Sequence, residues 1–305
     1  MGIRFERLSQ QNLHRLIPLY RKGFGKRVSM QFLRDRYRPF GSKGELFGHL
    51  AYDGKQLIGC NCVIPSAICT GEKRELSAYG LDAVTLPAWR GRGIYLEADQ
   101  KNMDILSSAG FLSVWSNLSD QLRMLYGDRG RWQAMHRMKA YIIPLMHPYR
   151  AAIRREWLKL RGQNPISVFE PWRRNPDPTY SFNINEYVLI DRSDSILKEK
   201  QNRGSVFISL ESCSVWFRQL NAICIGDMVA PDQKAFDACI ARLISLAKDA
   251  GAPRIVFQSS PGSPTEQYFA SRFPAIDTWV VGFRSLGSAF DPEKLKITWG
   301  DADTF

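Results

Sequence analysis

One stretch of the sequence concentrates groups able to handle a phosphorylated ligand: Thr85-Leu86-Pro87-Ala88-Trp89-Arg90-Gly91-Arg92-Gly93-Ile94-Tyr95. Glycines let a backbone approach an anion closely, and a helix that opens here turns the free N–H groups of its first turn toward it. Arg90 and Arg92 add positive charge where a pyrophosphate would sit. Two common phosphate loops do not fit. The dinucleotide-binding pattern needs a third glycine and a βαβ opening, and the Walker pattern needs Gly-Lys-Ser/Thr. A lone Gly-x-Gly is as often a tight turn, so the reading depends on the elements around it.

Those elements follow from periodicity. Asn12 to Phe24 carries Leu13, Leu16, Ile17 and Tyr20 at helical spacing, and Ser29 caps a second helical run, Met30 to Tyr37. The period then changes to that of strands: Leu46 to Tyr52, an Asp53-Gly54 turn, Gln56 to Ile68, a Gly71 turn, and Ser77 to Leu86. The glycine-arginine loop therefore lies between a strand and a helix, Ile94 to Ala109, stopped by Gly110. A buried strand (Phe111 to Ser116), a helical piece (Gln121 to Tyr126) and a strand (Met138 to Leu145) complete the first half.

His147-Pro148 opens a basic amphipathic helix, Tyr149 to Leu160, with Arg150, Arg154, Arg155 and Lys159 around Trp157, Leu158 and Leu160. Pro171 to Pro178 is too rich in proline for a helix interior. The order of the first half then returns: strands at Ser205 to Leu210 and within Val215 to Val229, a helix from Asp232 to Ala250, a strand at Arg254 to Gln258, a short helix at Pro264 to Ser271, and a strand at Thr278 to Phe283. We read a tandem α/β (α+β) protein. Each module is a mixed, mostly antiparallel sheet flanked by helices, with domains at 1–147 and 166–305 and a basic linker helix at 148–165.

Composition bounds the rest. The 305 residues are 44% hydrophobic and 24% charged, which suits two ordinary cores and excludes wholesale disorder. No apolar run approaches the ~20 residues of a membrane span. The first residues lack the apolar core of a secretion signal, so a cytoplasmic protein is expected. Six cysteines (Cys60, Cys62, Cys69, Cys213, Cys224, Cys239) form no C-x-x-C pair, and the four histidines do not fall at ligand spacing beside them. Reduced buried thiols and no metal site are expected. A net charge of +12 attracts polyanions without choosing among nucleic acid, an anionic membrane and a phosphate-rich small molecule.

Thr85-x-Pro87-x-x-Arg90-Gly91-Arg92-Gly93-Ile94, between a strand and a helix, resembles the acetyl-CoA signature of the GNAT acyltransferases. The order of elements over residues 1–147 is similar to that family too, ending in Tyr126-x-x-x-Gly130. There are three departures. Tyr95 stands where the family has a final Gly or Ala, Ser119 replaces a frequent Asn with Asn117 close by, and Arg131-Trp132 replaces a single aromatic. The second half resembles a degenerate copy: its junction, Gly226 to Gln233, carries two acids and no Arg-Gly pair, and acids at a helix start repel phosphate.

The resemblance implies roles by position. Ala83, Val84 and Thr85 would pair with the pantetheine arm of acetyl-CoA, where backbone N–H groups polarise the thioester. Arg90, Gly91, Arg92, Gly93, Ile94, Tyr95 and Leu96 would cradle the pyrophosphate, with Asn117 and Ser119 nearby. Tyr126 would return a proton to the departing thiolate. Asp82, on the same strand, is the candidate base, a water chain or a structural pairing with an Arg being its alternatives. His136 is a weaker candidate for the acceptor cleft than for a packed histidine.

The resulting expectation is transfer of an acetyl group to a small-molecule amine, with an amino sugar of surface-polysaccharide synthesis the favoured acceptor by analogy. Two alternatives stay open. One is aminoacyl transfer from charged tRNA, although nucleic acid is not favoured; the other is a CoA-binding module without catalysis. The linker helix admits a peripheral membrane contact, but packing of its apolar stripe between the halves is preferred. Oligomeric state is not legible.

Overall fold

A computed structural model describes residues 2–37, 45–120, 122 and 132–302. The chain forms two compact units, Met1–Met135 with Val281–Phe290, and His136–Val280 with Asp291–Phe305. The sequence places the first boundary at residue 147. It falls instead within a strand, and a late segment returns to the first unit.

In the first unit, β1 (Arg4–Arg7) precedes a 3₁₀ turn and two short helices, α1 (Leu16–Gly23) and α2 (Met30–Arg36). The Ser29 hydroxyl accepts from the Phe32 N–H, the N-cap bond expected of this residue type. Three antiparallel strands follow: β2 (Phe47–Asp53), β3 (Gln56–Thr70) and β4 (Lys73–Thr85). α3 (Ile94–Ser108) leads to β5 (Ser113–Leu118), which lies parallel to β4. The strand order is β1-β2-β3-β4-β5, and the far side of β5 takes the C-terminal part of a later strand.

The β4–β5 ladder decides where a ligand can enter. It runs only from Ser77↔Ser113 to Gly80↔Ser116, tied by Ser113 Oγ donating to Ser77 Oγ at 2.8 Å. Past Gly80, β4 stays paired with β3 through Asn61↔Ala83, Cys60↔Val84 and Gly59↔Thr85, beyond a register shift between Asn61 and Val63. Such a shift bends and twists a strand locally. The Leu81–Thr85 edge that faces away from β3 thus lies beyond the ladder to β5.

The second unit starts on β6 (Gln133–Pro144) and α4 (Pro148–Leu160). A 3₁₀ stretch spans Pro165–Trp172 and contains Pro171. Then come β7 (Val188–Ile190), α5 (Asp194–Asn202), β8 (Ser205–Leu210), β9 (Cys213–Gln219), β10 (Ile223–Val229), α6 (Gln233–Asp249), β11 (Arg254–Ser259), α7 (Pro264–Ala270), β12 (Ala275–Ser285) and β13 (Leu295–Lys296). β8, β9 and β10 are antiparallel, and β11 runs parallel to β10 after α6, so the repeat of the first unit's order is present. β6 pairs antiparallel with β11. α6 buries Phe236, Ile240, Leu243 and Leu246, which share one core with Ile225, Phe257 and Phe269. All six cysteines are buried, and none is in a disulfide.

Candidate acyl-CoA site

Thr85 ends β4, a 3₁₀ turn covers Pro87–Trp89, and α3 begins at Ile94. Gly91 (φ +78°) and Gly93 (φ +74°) are left-handed, a conformation that costs other residues ~1–2 kcal/mol. A Cβ at either position would meet nothing within 4 Å, so these glycines serve backbone shape and face open space. Gly93 is the N-cap residue of α3 and supplies no side-chain cap, so the first-turn amides keep no capping side chain of their own. Arg90 donates to the Thr85 carbonyl at 3.1 Å, and Arg92 stacks over Trp89 at 4.7 Å. Both guanidiniums are thereby held at the mouth of the loop, with charge to offer an anion.

A cavity of about 480 Å³ opens on this loop. It is lined by Ala83, Val84 and Thr85, by every residue from Arg90 to Leu96, and by Ser119. Gly23, Phe24 and Trp89 also line it, and sequence reasoning did not single them out for the site. Trp89 lies inside the quoted motif. Phe24 closes the C-terminus of α1, and no signal in its type or spacing marks it. Asn117 lies apart, in an adjoining cavity of about 130 Å³ with Asn61, Ser116, Asp99 and Trp132. Phe24, Ala83 and Tyr95 line both cavities. Tyr126 lies outside the described residues.

Asp82 is corrected from candidate base to anchor. It is buried, and its carboxylate accepts from Arg36 Nε at 2.7 Å and Nη2 at 2.8 Å, from Tyr37 Oη at 2.7 Å, and from Tyr20 Oη. Burial pushes its pKa up, but the hydrogen bonds and charge of Arg36, with the two phenols, outweigh this and hold it below the ordinary carboxylate range. Alternation along β4 puts Asp82 on the face opposite Ala83 and Thr85. A carboxylate so saturated fixes α1 and α2 to β4 and has little capacity to take a proton.

His136 belongs to the second unit, where its Nε2 lies 2.6 Å from Ser260 Oγ. Ser260 Oγ also accepts from the Ile297 N–H at 2.9 Å, which ties the imidazole to that segment. Burial, with Lys296 nearby, lowers the His136 pKa to about 4. It is a packed histidine.

The equivalent junction of the second unit is closed by its own side chains. Asp232 caps α6 by accepting from the Ala235 N–H at 2.7 Å. Asp227, near the end of β10, accepts from Arg192 at 2.5 Å, and Arg192 also holds Asp301 at 2.9 Å, all three side chains being buried. Where α3 presents glycine and arginine, α6 presents a carboxylate already in use.

No protein-family model matches the sequence, and no curated protein matches it either. Solved structures do. A GCN5-related N-acetyltransferase from Kribbella flavida superposes with a TM-score of 0.58 at 13% identity, covering 94% of this chain and 71% of its own. One from Anabaena variabilis gives 0.57 at 14%, covering 93% and 73%. A putative acetyltransferase from Pyrococcus horikoshii gives 0.55 at 12%, covering 98% and 94%. The chain has the fold of the GCN5-related N-acetyltransferases.

Proposed function

We propose that the first unit binds an acyl-CoA, acetyl-CoA in the first place, and transfers the acyl group directly to an amine. One observation carries this reading: a helix N-terminus without its own cap, wrapped by two left-handed glycines and two arginines, opens on the same cavity as the Ala83–Thr85 segment of β4. The amides of Gly91 to Leu96 would take the pyrophosphate, and the edge of β4 beyond the β5 ladder would pair with the pantetheine arm. The thioester would then lie at the divergence of β4 and β5. There, backbone N–H groups stabilise the oxyanion as the amine attacks, and the carbon–sulfur bond breaks to release CoA thiolate. Tyr126 is the proposed donor of the proton that thiolate takes, and the proton the attacking nitrogen loses leaves through water.

The adjoining cavity suits the acceptor. Asn61, Ser116, Asn117 and Asp99 offer it hydrogen-bonding groups and Trp132 an aromatic wall, a combination fitted to a hydroxylated amine such as an amino sugar. No cysteine lines either cavity, which favours direct attack over an acyl-cysteine intermediate.

Calorimetric titration of acetyl-CoA into the wild type and a Gly91→Glu/Gly93→Glu variant tests the reading. Wild-type binding lost in a variant with unchanged circular dichroism is expected, along with CoA release when amino sugars are added. Equal affinity in the two proteins would remove the loop from the site. Binding without turnover of any amine would leave a CoA-binding module, and retention of charged tRNA by a protein that ignores acetyl-CoA would favour aminoacyl transfer.

A further inference from the structure

The helix α4 carries its large apolar side chains on the wrong side for a core. Tyr149, Ile153, Trp157 and Leu160 are 70%, 52%, 37% and 87% exposed, whereas only Ala151 and Leu158 of this helix are buried. At ~100° per residue the four exposed side chains fall within roughly 80° of arc, one continuous stripe, with Ala151 and Leu158 on the opposite face. The stripe therefore lies on the exposed side of the helix.

Charge borders the stripe. Arg150, Arg154 and Arg161 follow it along the edge beyond Trp157, and Arg161 and Arg154 lie over the Trp157 ring at 3.8 and 4.7 Å. Lys159 runs along the other edge, paired with Glu156 at 2.8 Å. Beside the helix, Arg155 and Lys159 line a cleft of about 550 Å³ whose rim includes Leu220, itself 43% exposed. The helix is fixed from behind. Gly251 packs so closely beneath it that a Cβ there would lie 3.1 Å from the Ala151 carbonyl oxygen and 2.9 Å from Arg155 Cγ.

We propose that α4 is a docking helix for an anionic lipid surface. An apolar stripe flanked by arginine, with tryptophan and tyrosine at its margin, suits the boundary between headgroups and acyl chains. Thirteen residues span ~20 Å, too short to cross ~30 Å of hydrocarbon, so the helix lies in the plane of the interface. Charge complementarity selects this occupant. A second copy would set like-charged borders against each other. Nucleic acid would engage the arginines but offer Ile153 and Leu160 nothing apolar. The proposal does not rest on acyl transfer.

The test is sedimentation of the full-length protein with large vesicles of phosphatidylcholine alone and of an equimolar phosphatidylcholine–phosphatidylglycerol mixture. Binding to the mixed vesicles only is expected. Ile153→Glu/Leu160→Glu, both at exposed positions, is expected to weaken it at least about tenfold with unchanged thermal stability. Each of Arg150→Gln, Arg154→Gln and Arg161→Gln is expected to weaken it by roughly fivefold. Undiminished binding by the glutamate variant, or none by the wild type, overturns the proposal. So does a wild-type dimer that the glutamate variant dissociates, or binding that tracks the arginines alone and transfers equally to duplex DNA.

Discussion

Asp82 illustrates how a residue on the right strand can belong to the frame of a site and not to its chemistry. Its carboxylate is a hub for Arg36, Tyr20 and Tyr37, so replacing it unbalances a buried charge as well as removing hydrogen bonds. Asp82→Asn is expected to lower unfolding stability by about 3 kcal/mol, the lower end for breaking a buried ion pair, measured by urea denaturation. The acidic limb of the pH–rate profile should stay where it is in the wild type, and a shift of that limb would restore the base assignment. Proximity in sequence to the Ala83–Thr85 segment made Asp82 a candidate base. What the sequence could not supply was the partners, since Arg36 lies 46 residues away.

At the scale of elements, the loop was legible because its determinants are local: a strand end, a proline bend, two glycines at positive φ and a helix start all lie within eleven residues. The cap at Ser29 was legible for the same reason. The short strands β1, β7 and β13 and the helix α5 were missed, being too brief or too polar to show a period. The seat of α4 depends on a contact no pattern reveals. Gly251 is left-handed at φ +68°, and its missing Cβ lets the backbone of α4 approach. Gly251→Ala should therefore cost more than the ~1–2 kcal/mol of the conformation alone, because two of the three atoms met, the Ala151 carbonyl oxygen and the Arg155 nitrogen, are backbone. A melting temperature within a degree of the wild type would contradict that packing.

For the whole molecule, His136 sets a pH dependence. Its folded pKa of about 4 lies below the ordinary histidine value near 6.5, so the folded protein binds that proton less readily than the unfolded chain. The neutral ring's contribution is complete above pH ~6.5 and is lost as pH falls from there to about 4, up to about 3 kcal/mol in all. Asp82, with its depressed pKa, adds a loss at lower pH, below the ordinary carboxylate range near 4. Denaturation midpoints measured across this range should fall steadily in the wild type. They should fall less between pH 6.5 and 4 in His136→Asn, and parallel curves would refute the assignment. The recurring order of strands and helices was readable in the sequence. The exchange of segments was not, because a repeat in sequence suggests modules that are each contiguous.

That return of Val281–Phe290 to the first unit bears on synthesis. Residues 1–135 leave the ribosome long before the segment that completes their sheet. At ~5–20 residues per second the interval is roughly 8 to 30 seconds. During it, β5 holds an uncovered edge, the kind of template on which nascent chains pair wrongly. The fold thus makes residues 1–135 depend on Val281–Phe290, and a nascent chain of this protein is a natural client for a chaperone until that segment has emerged.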